Sequence, residues 1–98
     1  MHLLFVLSSP DKVDYVEALT NAATRAGHNV TVFFNEDSVK LLKAPSRVEY
    51  LYADLLACRA SSTECGITKD QMVSNARMSS LAELVDLLEG SNRVVFLG

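Results

Sequence analysis

A chain of 98 residues with 49% hydrophobic content is long enough for one domain, residues 1–98, and too short for two ordinary ones. Its net charge of −3 and scattered Lys and Arg argue against phosphate-backbone recognition, so no nucleic-acid partner is expected. No apolar run approaches the ~20 residues of a membrane span, and Met1–Leu7 lacks the basic lead of a signal peptide, so no membrane partner and a cytoplasmic location are expected.

Leu3–Leu7 is a short, continuous apolar run bounded by turn residues, the pattern of a strand buried on both faces of a parallel sheet. A helix follows. Ser9 suits its cap, Pro10 its first position and Gly27 its exit. Val13, Val16, Leu19, Ala23 and Ala26 recur at three- and four-residue steps and form its expected inner face. Asn29–Phe34, rich in β-branched and aromatic residues, is the second strand. Strand, helix and strand make a right-handed βαβ unit with two parallel strands.

The middle of the chain is more ambiguous. Asp37 or Ser38 can open a short helix through Lys43 that Pro45 stops. Ser46-Arg47-Val48-Glu49 has capping-box spacing, and Val48, Leu51, Tyr52 and Leu55 step helically from it towards Cys58. Asp54–Ala57 also fits a short strand, and Gln71–Ser74 another. At the far end the pattern is clear again. Ser80-Leu81-Ala82-Glu83 has capping-box spacing, with Glu83 expected to reach back. Leu81, Leu84, Val85 and Leu88 share a helical face, and Gly90 ends it. Arg93–Leu97 is a final strand, expected to be buried and indispensable. The hydrophobic share is high for so small a chain, and part of it is expected to be covered by further copies.

Open parallel sheets bind ligands beyond the carboxyl ends of their strands. That singles out Ser8 and Ser9 after the first strand and Asn35 after the second, all with a plainer role as caps and turns. It also singles out Cys58, Arg59 and Ser61, should a strand end there. No GxGxxG or Walker motif is present, and His2 and His28 lack partners at metal-ligand spacing, so neither cofactor nor metal is expected. A cysteine at a strand-to-helix junction with Arg59 beside it is placed to form a thiolate, whereas a buried free cysteine is usually an inert packing residue. If the interval between Cys58 and Cys65 is helical, their Cα atoms lie roughly 10 Å apart, beyond disulfide reach.

The run Leu55-Leu56-Ala57-Cys58-Arg59-Ala60-Ser61, followed by Gly66-Ile67, resembles a segment of DsrE/DsrF-like proteins, which include TusD-like sulfur-relay subunits. The closing Leu81–Asp86 and Asn92–Val95 resemble that family's last helix and strand. The resemblance implies a YchN-like α/β fold: a mostly parallel sheet of about five strands with helices on both faces, assembled as a homotrimer or homohexamer. It favours a strand ending at Cys58. It further implies a persulfide carrier in which Cys58 accepts sulfane sulfur from a donor protein and passes it to an acceptor. Arg59 and the Ser61 amide would then support the thiolate, with Ser8, Ser9 and Asn35 at the rim. The alternative is a non-catalytic oligomeric or small-ligand-binding module in which Cys58 only packs.

Overall fold

The computed structural model describes residues 1–98. Its five strands are β1 (His2–Leu7), β2 (Asn29–Phe34), β3 (Asp54–Cys58), β4 (Ala76–Ser79) and β5 (Arg93–Leu97). They lie in one sheet in the order β4-β3-β2-β1-β5, and every neighbouring pair is parallel. The helices are α1 (Val13–Arg25), α2 (Arg59–Glu64) and α3 (Leu81–Gly90). This is the α/β architecture that the alternation of patterns predicts.

The two faces are unequal. On one, Phe5, Leu7, Val32, Phe34, Leu55 and Ala57 of the strands meet Val16 and Ala23 of α1 in a cluster of 17 buried residues. On the other, Leu4, Val6, Phe33, Leu56 and Cys58 lie under Leu84, Leu87 and Leu88 of α3, which are only partly buried. No residue of α3 is fully buried. The fully enclosed Phe33 and Leu4 are each worth about 1.5–3 kcal/mol in burial.

Handedness accounts for this division. Successive steps from β1 to β2, β3 and β4 travel one way along the sheet, so right-handed crossovers put their connections on one face. The step from β4 to β5 runs back past β1, so α3 must cross the opposite face.

Several expectations are corrected. The inner face of α1 is rotated from the pattern: Thr20 is buried with Val16 and Ala23, while Leu19 is 38% exposed. The helical stepping after Ser46 ends in a single 3₁₀ turn, Arg47–Tyr50, and β3 takes the rest because its backbone pairs with β2 from Thr31↔Asp54 to Phe34↔Ala57. Arg47 reaches Asp14 and Glu17 of α1, which ties that turn to the helix. The expected helix after Asp37 is a 3₁₀ segment, Glu36–Leu42. Gln71–Ser74 is not a strand. It follows a 3₁₀ turn at Lys69–Gln71 and supplies only the bridge Lys43↔Met72; the fourth strand lies at Ala76–Ser79 instead. Finally, β5 is an edge strand, with Arg93 and Phe96 exposed and the others half-buried, because β1 is its one neighbour.

The Thr20 hydroxyl is buried without a hydrogen-bond partner, and such a group costs about 1–3 kcal/mol. Thr20→Val, which keeps the side-chain shape, is expected to stabilise the fold by about 1 kcal/mol, read as a higher urea midpoint. Deleting Val94–Gly98 removes Val95 and Leu97 from the main core and Val94 from the second. It is expected to abolish the cooperative thermal transition by circular dichroism; an intact transition would show β5 to be dispensable.

Candidate functional site

The carboxyl end of a parallel sheet forms a crevice where adjacent strands send their connections to opposite faces. Here that point lies between β3, which leads into α2 on the α1 side, and β4, which leads into α3 on the other. Cys58 is the last residue of β3, and its register partner across the crevice is Ser79. Both side chains are turned to the α3 face.

Cys58 also occupies the N-cap position of α2, with extended backbone and no side-chain capping bond. Its carbonyl accepts from the Ser62 hydroxyl at 2.8 Å. The first-turn amides of α2 have no acceptor within the helix, as at any helix start. The thiol itself is only 3% exposed and packs with Leu4, Val6, Phe33 and Leu56. Arg59 is exposed and takes part in none of the chain's ion pairs. Both cysteines are free, and the residues between them are helical, which keeps the thiols apart. Cys65 lies 4.0 Å from Asp37 through its sulfur.

Of the predicted rim residues, the structure joins Asn35 to Ser61. The Ser61 hydroxyl donates to Asn35 Oδ1 at 3.0 Å and accepts from the Glu36 backbone N–H at 2.9 Å. Glu36 takes the left-handed conformation, φ 50°, which residues other than glycine seldom adopt, and this bends the β2 exit onto α2. Ser38 fastens the same loop, its hydroxyl 2.6 Å from the carbonyls of Leu7 and Asn35. Ser8 and Ser9 do not join this group. Ser8 bonds the Leu97 carbonyl, Ser9 caps the Pro10–Lys12 turn, and β1 lies two strands from β3, roughly 10 Å away at the usual spacing.

The residues that sequence patterns missed are Ser79, Arg77 and the role of Glu83. Ser80 caps α3 as expected, accepting from the Glu83 N–H at 3.0 Å. The Glu83 carboxylate does not reach back, however. It accepts from Arg77 at 3.1 and 2.9 Å and from the buried Ser79 hydroxyl at 2.5 Å. These two donors, Arg77 first, hold the Glu83 carboxyl below the usual carboxylate range, and the carboxylate raises Arg77 in turn. The pairing of Ser79 with Cys58 depends on strand register, which no local spacing records.

A hollow of about 500 Å³, open to solvent, lies at the opposite, amino end of the sheet, lined by His2, His28, Tyr52 and Asp54 among others. His2 is hydrogen-bonded there to Thr31 at 2.9 Å. No three His, Cys, Asp or Glu side chains converge as a metal site requires. No helix is long and apolar enough to cross a membrane.

The sequence matches the DsrE/DsrF-like family over residues 1–97. Among solved structures, the YchN protein from E. coli superposes with a TM-score of 0.80 at 10% identity, over 99% of this chain and 100% of that one. A protein of unknown function from Methanobacterium thermoautotrophicum, MTH1491, does so at 0.75 and 14% identity, over 96% and 97%. No curated protein matches the sequence. The five-stranded parallel fold is thus shared with YchN.

The shift on Glu83 sets a pH dependence. Its folded value lies below its unfolded one, so ionised Glu83 stabilises the fold above the ordinary carboxylate range. That contribution is lost as pH falls through the lowered folded value. With Arg77 largely solvated, Glu83→Gln is expected to cost no more than about 1 kcal/mol near neutral pH. The gap from wild type should close as pH falls through that lowered value, measured by urea unfolding at each pH; a gap independent of pH would show that the carboxylate's charge contributes nothing.

Proposed function

We propose, from the premise that this chain belongs to the DsrE/DsrF-like family, that it is a sulfur-relay persulfide carrier working through Cys58. The observation that carries this reading is the position of Cys58: the last residue of β3 and the N-cap of α2, at the crevice between diverging connections. The thiolate attacks the terminal sulfur of a donor persulfide. One S–S bond forms on Cys58 as the donor's S–S bond breaks, and the donor leaves as a thiolate. An acceptor thiol then repeats the exchange, so no external oxidant or reductant is consumed. Arg59, exposed and without an ion pair, would meet the anionic persulfide. The Ser61 amide lies in the first turn behind it, while Asn35 holds Ser61 in place. Ser8 and Ser9 would serve only at the outer rim. The donor and acceptor are proteins, no cofactor is required, and the reading includes a cytoplasmic setting and a homotrimer or homohexamer.

Burial favours a second reading. A thiol 3% exposed among aliphatic side chains is what a purely packing cysteine looks like. As a carrier, the protein must uncover Cys58, and the α3 layer above it is the thinner of the two.

The two readings separate by experiment. Alkylation with a charged thiol reagent should modify Cys58 in the native protein. Cys58→Ser should lose at least tenfold in sulfur acceptance from a persulfide-bearing cysteine desulfurase while keeping its melting temperature within a few degrees. A Cys58 that reacts only on unfolding assigns the residue to packing and removes the carrier function.

A further inference from the structure

Helix α3 is lightly seated over the cluster that holds Cys58. The helix contributes Leu84, Leu87 and Leu88 to that cluster, all only partly buried, and none of its residues is fully buried. In a protein, most of a helix's stability comes from its packed face. A helix held by three half-buried leucines therefore lifts away at less cost than α1, which buries Val16, Thr20 and Ala23. Lifting α3 also leaves the larger core intact, because no residue of α3 belongs to it.

The two ends of the helix act in opposite senses. At its far end the Ser91 hydroxyl is shut off from solvent without a hydrogen-bond partner. A buried group of that kind disfavours the closed arrangement, and opening returns it to water. At its start the Ser79 hydroxyl donates to the Glu83 carboxylate, which also accepts two bonds from Arg77. These bonds are the one side-chain hydrogen-bonded link between α3 and the sheet.

The anchor of that link stands beside the thiol. Ser79 is the register partner of Cys58, both side chains face α3, and Ser79 is 2% exposed. If Glu83 lets go while the helix stays down, the Ser79 hydroxyl is left buried without its acceptor, which is unfavourable. Release of Glu83 and lifting of the first turn of α3 therefore favour each other. The bond to Ser79 opens together with the cover.

We propose that α3 is a lid over Cys58 and that Glu83, through Ser79 and Arg77, is its latch. The proposal rests on the carrier reading, which requires a buried thiol to be uncovered while the domain stays folded. Arg77 and Glu83 both reach solvent, and ion pairs of that kind are individually weak. The closed lid is thus in equilibrium with an open minor state, and sulfur exchange at Cys58 proceeds from the open one.

The test uses chains carrying Cys65→Ser, so that Cys58 is the one thiol, labelled with iodoacetamide at a fixed pH. Labelling of the otherwise wild-type chain should be nearly independent of low urea, the mark of local rather than global opening. Glu83→Ala should speed labelling about fivefold or more, on the scale of a solvated ion pair with one buried hydrogen bond. Val16→Ala, which hollows the main core and leaves α3 alone, should lower the urea midpoint further yet leave the labelling rate unchanged. A rate that rises in Val16→Ala and not in Glu83→Ala shows that only global unfolding exposes Cys58, and overturns both lid and carrier. A urea-independent rate that Glu83→Ala does not alter overturns the lid and leaves the carrier standing. A latch that behaves as stated, in a chain whose sulfur acceptance survives Cys58→Ser, keeps the lid and removes the carrier. Should Glu83→Ala fail to fold, Ser79→Ala, which removes the buried anchor, is read in its place and should also speed labelling.

Discussion

Parallel pairing obliges each strand to be re-entered from the same end, and the right hand of the crossover then decides which face every connection covers. In this chain that constraint sets nearly everything of interest. Three steps in one direction load one face with α1, α2 and the 3₁₀ segments. The single reversal sends α3 alone across the other. The same reversal opens the crevice between β3 and β4, and it leaves β5 as the last strand with one side unpaired. The crevice, the thin layer and the open edge are consequences of one change of direction.

The inequality of the two layers bears on Cys58. Its side chain lies on the α3 face because β3 alternates, and Leu56 and Cys58 share a side by necessity. Above them Leu84, Leu87 and Leu88 are only partly buried, whereas the opposite cluster holds 17 buried residues. Local opening costs least where the fewest apolar contacts must be broken, so the thiol is covered by the layer easiest to displace. Glu83 works against that displacement by tying the first turn of α3 to Arg77 and Ser79 of β4. The ion pair is largely solvated and contributes little stability, although its hydrogen bond to the buried Ser79 gives it a definite geometry next to the cysteine.

Legibility in the sequence followed the number of residues over which a pattern could repeat. Helix α1, with thirteen residues, and β2, with an uninterrupted β-branched and aromatic run, were readable; only the rotation of α1 about its axis, Thr20 in place of Leu19, was not. Strand β3 was ambiguous because Val48, Leu51, Tyr52 and Leu55 fit a helix as well as its neighbours fit a strand. Pairing with β2 decided in favour of the strand, and no local pattern records that contact. Strand β4, Ala-Arg-Met-Ser, carries no strand signature of its own and exists because β3 offers it an edge. At the candidate site, Cys58, Arg59 and Ser61 were found from their junction and the family resemblance. The hydrogen bond between Asn35 and Ser61 spans 26 residues, and the facing of Cys58 and Ser79 depends on register, so neither could be read from spacing.

The apolar run at Arg93–Leu97 shows a different limit. A continuous hydrophobic strand in a parallel sheet implies two covered faces and two neighbours, yet β5 has one neighbour and leaves Phe96 in solvent. The composition poses the same conflict more broadly. Half of the residues are hydrophobic, at 49%, while 28 of 98 are buried, and the surplus is not spread evenly. Tyr50 and Tyr52 stand at the amino end of the sheet, where an amphipathic ring tolerates water. Leu81, Val85 and Phe96 have no polar handle, and Phe96 stands on the edge strand β5.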